Sequence, residues 1–320
     1  MKLSGRVRLA LRLIAPVLLL VVLWRLGDPR LLFDTLSRAA QLPLLAALVL
    51  NVPVNHLKVM RWRALLLARG FDYSIGKCWT AVLPSLYLGA ITPGRVGDVL
   101  RIQYLSHDLG APYAEGLSVT VMDRFCDLWV LSAFVALGVG HFAAILKGEL
   151  AFVTWAAVAL SMLGPLPLLI PGVAERVMGR LYRRLSPDGT GLDRFLTSLR
   201  SLVGKALALR ALPLTVASFL CTYLQGWLLA RALQLDIGLV DVMGMMAITS
   251  LLGLMPVSLS GLGVRELFLA LLFPFLGLTP EAGVAFGLVI FAAIFLVNVI
   301  AGFIAWQIAP PPFERASDEV

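Results

Sequence analysis

The sequence predicts an all-α polytopic membrane protein with six full transmembrane helices and two re-entrant broken hairpins arranged as an inverted repeat. Three observations lead there. Apolar runs of bilayer-spanning length recur along the chain, two of them are interrupted by proline and glycine in the same manner, and basic residues gather in segments that can share one side of a membrane. Of 320 residues, 59% are hydrophobic and 14% charged, against ~25% charged in an average soluble domain. Mean hydropathy is +0.89.

Lys2, Arg6, Arg8 and Arg12 precede an apolar run at residues 13–24. The pattern resembles a secretory signal, but Arg25-Leu26-Gly27-Asp28-Pro29 follows where a small-residue cleavage site would stand. A retained first span with its N-terminus inside is therefore expected. Residues 28–41 suit a helix lying at the outer interface, completing a unit at 1–41.

Residues 42–146 form a first repeat of span, broken hairpin and span. The span at 42–60 carries Asn51, Asn55 and His56 and ends in Lys58, Arg61, Arg63 and Arg69. This basic cluster is expected to face the cytoplasm and set topology. Residues 77–101 form the first hairpin, broken at Pro93, Gly94 and Gly97 and resuming with Arg95, Asp98 and Arg101. Proline removes a backbone donor and glycine frees the backbone, so a continuous helix breaks there. Residues 112–146 exceed the ~20 residues that one simple span needs. Their first half carries Glu115, Asp123, Arg124 and Asp127.

Residues 147–211 hold another span at 150–170 and the main extramembrane segment at 171–211. Eight basic residues stand there against Glu175, Asp188 and Asp193, and two amphipathic helices about a turn at 186–189 fit the pattern. The second repeat, 212–309, comprises a span at 212–230, a hairpin at 238–275 broken at Pro256, Gly261 and Gly263, and a last span at 282–308. Residues 310–320 form a loose tail.

Counting charges fixes the expected topology. If the first hairpin crossed the membrane fully, the basic segment 171–211 would lie outside, against the positive-inside tendency. If it enters from the cytoplasm and returns, both basic segments and both termini fall inside. Short matches support a repeat: Leu42-Pro43-Leu44 with Leu212-Pro213-Leu214, Arg63-Ala64-Leu65 with Arg231-Ala232-Leu233, Asp72 with Asp236, and Ser85-Leu86 with Ser250-Leu251. Three crossings separate equivalent points, an odd number, so the halves are expected to be inverted.

Charged groups at membrane depth carry the functional expectation. Each costs about 2.5–3.5 kcal/mol at a helix centre on insertion scales, so such groups face a cavity or a partner. Two interrupted hydrophobic segments at matching places mark a transporter-like site near the midplane. The hairpin tips are expected to meet there, with Arg95 and Arg265 receiving a lipid phosphate through their guanidinium forks. Helix N-termini after Gly94 and Gly261 would add backbone donors. Asp98, Asp123 and Glu266 would hold the arginines or contact the headgroup, and Arg101, Arg124 and Asp127 complete the expected headgroup-binding set. Asp123, Arg124 and Asp127 admit a second interpretation, an internal ion pair that locks the hairpin. Asn51, Asn55, Gln225 and Asn298 read as interhelical glue.

Other chemistries find no support. Cys78, Cys126 and Cys221 are far apart in apolar stretches, and His56, His107 and His141 are isolated. No metal, cofactor, enzymatic activity or nucleic-acid partner is expected from this pattern. The net charge of +8 is assigned to the cytoplasmic face.

The motifs Pro93-Gly94-Arg95-Val96-Gly97-Asp98…Arg101, Asp123-Arg124…Asp127-Leu128 and Pro256…Ser260-Gly261-Leu262-Gly263-Val264-Arg265-Glu266 resemble those of the lysylphosphatidylglycerol synthase membrane-region (flippase-like) family. The resemblance covers nearly the whole chain. It implies a bacterial or archaeal inner-membrane protein that moves, or helps to move, lipids or lipid-linked sugars between leaflets. Asp98 stands where Glu is usual, and Leu259-Ser260 where Pro-Gly is common. The synthase's soluble aminoacyl-transfer domain has no counterpart here, so lysyl-lipid synthesis is not expected. The alternative is a non-transporting accessory that presents or regulates a lipid-modifying or glycosyl-transfer enzyme through the basic segment 171–211. Besides its lipid, the partners this admits are such an enzyme and a second copy of the chain.

Overall fold

The computed structural model describes residues 37–91, 97–143, 148–176, 190–254 and 263–312. The expected first span, the interfacial helix before residue 37, both hairpin tips with Pro93, Gly94, Arg95, Pro256 and Gly261, the turn at 186–189 and the tail from 313 lie outside these residues. Among the described residues the chain is helical throughout, with no strand.

Ten helices carry the described body: α1 (Gln41–Ala68), α2 (Ile75–Ile91), α3 (Leu100–Leu109), α4 (Tyr113–His141), α5 (Gly148–Leu163), α6 (Thr190–Ser201), α7 (Leu207–Ala232), α8 (Leu239–Leu252), α9 (Val264–Leu272) and α10 (Pro280–Ile308). Four stretches among the described residues are long and apolar enough to cross a membrane: Gln41–Ala68, Ala151–Leu169, Leu207–Ala232 and Pro280–Ile308. Helix α4 has 29 residues, about 43 Å at 1.5 Å per residue, but its first half is charged. Helices α2, α3, α8 and α9 have 17, 10, 14 and 9 residues, short of the ~20 that a full crossing needs. Helix α1 runs two turns beyond the expected limit at residue 60, because Arg61 finds partners inside the protein.

The element series repeats. Ile75 to Leu239, Leu100 to Val264 and Tyr113 to Pro280 are steps of 164, 164 and 167 residues between helix starts. Contacts repeat with it. Helix α2 packs on the C-terminal half of α10, and its counterpart α8 packs on α4; α3 meets α4 as α9 meets α10; α1 and α7 pack on each other. Helices α2 and α8 thus exchange partners between the halves, whereas α3 and α9 pack within their own.

Close crossings in this exchange are made by glycines at the same step. A Cβ on Gly138 of α4 would stand 2.8 Å from the Gly244 Cα of α8, and one on Gly302 of α10 would stand 2.5 Å from the Leu83 carbonyl oxygen of α2. Small residues let membrane helices approach closely, and packing there has no help from a hydrophobic drive between helices.

Polar side chains add the remaining ties. Asn51 donates to the Ala293 carbonyl at 2.9 Å, within the π-helical turn Phe291–Leu296 of α10, while Asn55 donates to Asn298. Gln225 donates to the Ala47 carbonyl at 2.8 Å, joining α7 to α1. These four act as the glue that the sequence led us to expect. Buried apolar residues form two main cores. One gathers Trp62, Leu65, Tyr87, Leu105 and Met122 around the first four helices; the other gathers Val135, Tyr223, Met245, Phe273 and Phe286 between α4, α7, α8 and the α9–α10 pair.

Within the basic segment, α6 is amphipathic and buries Leu192, Leu196 and Leu199. Leu199 and Leu202 join the first core beneath α4, and Arg69 donates to Ser201 at 2.7 Å. Arg200 pairs with Glu175 at 2.7 Å, and this hydrogen bond holds the Glu175 carboxyl down at about 2. The pair is therefore ionised at neutral pH.

Replacing Gly138 or Gly302 by leucine is expected to cost about 1–3 kcal/mol by overpacking, read as a lower unfolding temperature of the detergent-solubilised protein. Gly140, which has open space around it, should accept leucine with little change.

Candidate functional site

Helix α2 ends at Ile91, and Gly97 lies directly beside it. A Cβ on Gly97 would lie 2.1 Å from the Gly89 backbone nitrogen, so only glycine permits this return. The reversal puts Asp98 in the turn before α3 and Arg101 one turn later on the same face. Arg101 then points at α4, where Asp123, Arg124 and Asp127 line the charged half.

The result is a closed ionic cluster inside the helical body. Asp123, with a fully buried side chain, lies at its centre. It accepts from Arg61 Nε at 2.6 Å, Arg101 Nη1 at 3.1 Å and Arg124 Nη2 at 2.9 Å. Asp98 pairs with Arg101 Nη2 at 3.0 Å and stands 3.2 Å from Arg124 Nε. Asp127 pairs with Arg124 Nη1 at 2.9 Å and also with Arg61. Arg101 Nε donates to Ser85 Oγ on α2 at 2.8 Å, and Arg61 Nη1 donates to Thr215 Oγ1 on α7 at 3.2 Å. The Trp62 ring lies 5.9 Å from the Arg101 guanidinium carbon. Among the described residues the three arginines and three aspartates balance one another, Lys58 also acts on Asp127, and through Ser85 and Thr215 the set joins five helices.

One edge of the cluster is open. The Arg124 side chain is 29% exposed and that of Asp127 21%, whereas those of Arg61 and Arg101 are buried. Arg124 Nε makes no aligned hydrogen bond despite its approach to Asp98. That contact is an ion pair without an aligned hydrogen bond, a condition that Arg69 Nε and Arg200 Nε share.

In the second half, Arg265 and Glu266 open α9. Arg265 bonds Glu266 Oε1 through Nε at 3.0 Å and Nη2 at 2.6 Å, and its guanidinium carbon lies 5.7 Å from the Phe291 ring on α10. Glu266 Oε2 accepts from the Gly263 nitrogen at 2.6 Å, closing the start of the helix. Gly263 has φ +88°, which a larger residue rarely adopts.

Five of the expected headgroup residues, Asp98, Arg101, Asp123, Arg124 and Asp127, are thus in one cluster, and Arg265 and Glu266 form a second pair. Arg95 lies outside the described residues. The structure corrects the expectation for Arg61: it is a buried member of the cluster, not a cytoplasm-facing charge, because two carboxylates on α4 lie within its reach. Arg63 is half-exposed, with a 3.3 Å contact to Asp72. By position in the repeated helices, the counterpart of Arg265 is Arg101, since each is the second residue of its helix. The same step of 164 residues relates Arg61 to Gln225, and each reaches across the α1–α7 contact. That spacing was the signal that would have singled out Arg61.

A family model described as the lysylphosphatidylglycerol synthase TM region matches residues 9–302. The chain is similar to a UPF0104 membrane protein of Methanocaldococcus jannaschii, 23% identical over 82% of this chain and 83% of that protein. It is also similar to the glycosyltransferase AglD of Haloferax volcanii, 23% identical over 94% of this chain, which spans 54% of that protein's length. No solved structure matches.

Breaking a buried ion pair from one side leaves an uncompensated charge and costs about 3–5 kcal/mol. Arg61→Met is expected to lose stability on that scale in thermal unfolding of the purified protein, and Arg61→Met with Asp123→Leu to regain part of it. Arg63→Gln should lose much less, about 1 kcal/mol, because it gives up only a hydrogen bond to the Tyr73 carbonyl and a partly exposed contact to Asp72. Equal losses from Arg61→Met and Arg63→Gln would remove Arg61 from the cluster.

Proposed function

The chain belongs to the lysylphosphatidylglycerol synthase TM-region family, a family of multi-pass membrane proteins, and on that basis we propose that it is a flippase-like transporter rather than an enzyme. Its cargo is a phosphate-bearing lipid or a polyprenyl-phosphate-linked sugar, moved between the leaflets of the cell inner membrane. Helix pairs α2–α3 and α8–α9 are two re-entrant hairpins of an inverted repeat, and both chain termini are cytoplasmic. The headgroup binds where the two hairpins approach each other.

The observation that carries this proposal is the open edge of the ionic cluster. A self-neutralised set can exist at membrane depth without cargo. A phosphate oxygen arriving at Arg124 replaces one carboxylate, and the displaced Asp98 or Asp127 keeps its other arginine. Exchange of partners lets an anionic head enter without stranding a charge, and the guanidinium fork suits phosphate. Arg265, which has the Phe291 ring beside it and, among the described residues, Glu266 as its carboxylate partner, provides the corresponding cation in the second half. The short lengths of α2, α3, α8 and α9 support their entering and leaving on one side.

A second proposal draws on the likeness to part of a glycosyltransferase, AglD. There the membrane body would serve a glycosyl-transfer or lipid-modifying enzyme as a non-transporting accessory, docked through α6 and the basic segment around it.

A leaflet-exposure assay in proteoliposomes separates the two. Wild type is expected to transfer a labelled polyprenyl-phosphate or anionic phospholipid, and Arg124→Gln or Arg265→Ala to reduce transfer at least about 10-fold, the scale on which loss of a charged hydrogen bond of 1.5–3 kcal/mol acts. Insertion should survive both changes; Arg124→Gln leaves the cluster one cation short, so thermal unfolding is measured beside transfer and Arg265→Ala serves as the second variant. Unaltered transfer in both variants would remove the arginines from the mechanism, and no transfer by wild type together with binding of a glycosyl-transfer enzyme would favour the accessory.

A further inference from the structure

A groove of 190 Å³ lies between α5 and the C-terminal end of α8, lined by Val153, Ala157, Leu160, Ser161, Ile248 and Leu251 among others. Its walls ask for no polar partner: Ser161 turns its hydroxyl to the Ala157 carbonyl of its own helix at 2.7 Å. The stretch Ala151–Leu169 has a mean hydropathy of 1.8 and only 17% of its most apolar window is covered by protein. Phe152, Trp155 and Leu163, on the same helix, are exposed. Such a face is stable only in the hydrocarbon of the bilayer, so the groove opens sideways into lipid tails. An enclosed apolar cavity of ~150 Å³ stays dry and takes up benzene. This groove is larger and open along one side, which suits a stretch of flexible chain better than a compact molecule.

We propose that the groove is a seat for one hydrocarbon chain, acyl or isoprenoid, of a membrane lipid. Its place in the chain gives the seat a purpose. Helix α8 ends at Leu252, and the next described helix begins with Val264, Arg265 and Glu266. A tail held against the end of α8 belongs to the same hairpin as the second cationic site. That this lipid is the cargo rests on the transport function proposed above; that a chain sits in the groove does not.

The experiment uses the full chain in proteoliposomes containing a phospholipid with a diazirine midway along one acyl chain, and a polyprenyl phosphate carrying the same group. After irradiation, adducts are mapped by peptide mass spectrometry. Adducts are expected to concentrate on residues 153–161 and 248–252. Filling the groove with Ala157→Phe, or independently with Ser161→Leu, should lower them about fivefold or more, since a packed site leaves no room for a chain. Adducts on Phe152, Trp155 and Leu163 should be unchanged. Even labelling of all faces of α5 in wild type would overturn the proposal, as ordinary boundary lipid, and so would cross-links between two copies of the chain through the groove. Leaflet transfer measured on the same vesicles keeps the two proposals apart. Labelling without transfer sinks transport and leaves the seat; transfer without groove labelling does the reverse.

Discussion

The constraint on which the rest depends is the burial of Asp123. A carboxylate fully removed from water inside a helical membrane body has to be met by cations, and it is met by three. That requirement brings Arg61 in from α1 and Arg101 in from α3, and it keeps Arg124 turned inward on its own helix. Those arginines in turn require Asp98 and Asp127. The cluster holds the first hairpin against α4 and fixes the depth of α1. A buried ion network is weak evidence of stability in itself, since desolvation offsets most of its attraction. Here it specifies one register among helices whose apolar faces would tolerate several.

The two halves share an arrangement but not a chemistry. Matching glycines set matching crossings, and matching helices exchange partners, yet Arg61 has Gln225 as its counterpart. Helix α4 offers carboxylates to Arg101, while α10 offers the Phe291 ring to Arg265. The first half therefore contains a multiply connected charge set and the second a simple pair. An anionic group meeting both would find on one side a cation shared among several carboxylates and on the other a cation bonded twice to one.

Much of this could be read from the residues. Helical class and the charged residues on α3, α4 and α9 follow from apolar runs and the cost of charge at depth. The asparagines and Gln225 acted as interhelical ties for the reason their chemistry gives. Arg61 was misjudged because a basic residue near a span end usually faces water. Its burial depends on carboxylates 62 and 66 residues further on, a distance that no local pattern spans. The pairing of Arg101 with Arg265 was hidden because the charges nearest the two breaks drew the comparison, whereas helix starts define the true register. The groove beside α8 was not legible at all, since it arises from how two apolar surfaces fail to meet.

The neutrality of the cluster has an electrical consequence. Moving one elementary charge through the full membrane potential involves about 2.3 kcal/mol per 100 mV. A rocking of α1, α3 and α4 that carried three arginines with three aspartates as one body would move no net charge through that field. Membrane voltage would then act on such a motion only through charges outside this set, among them Lys58 on α1, whose field reaches Asp127.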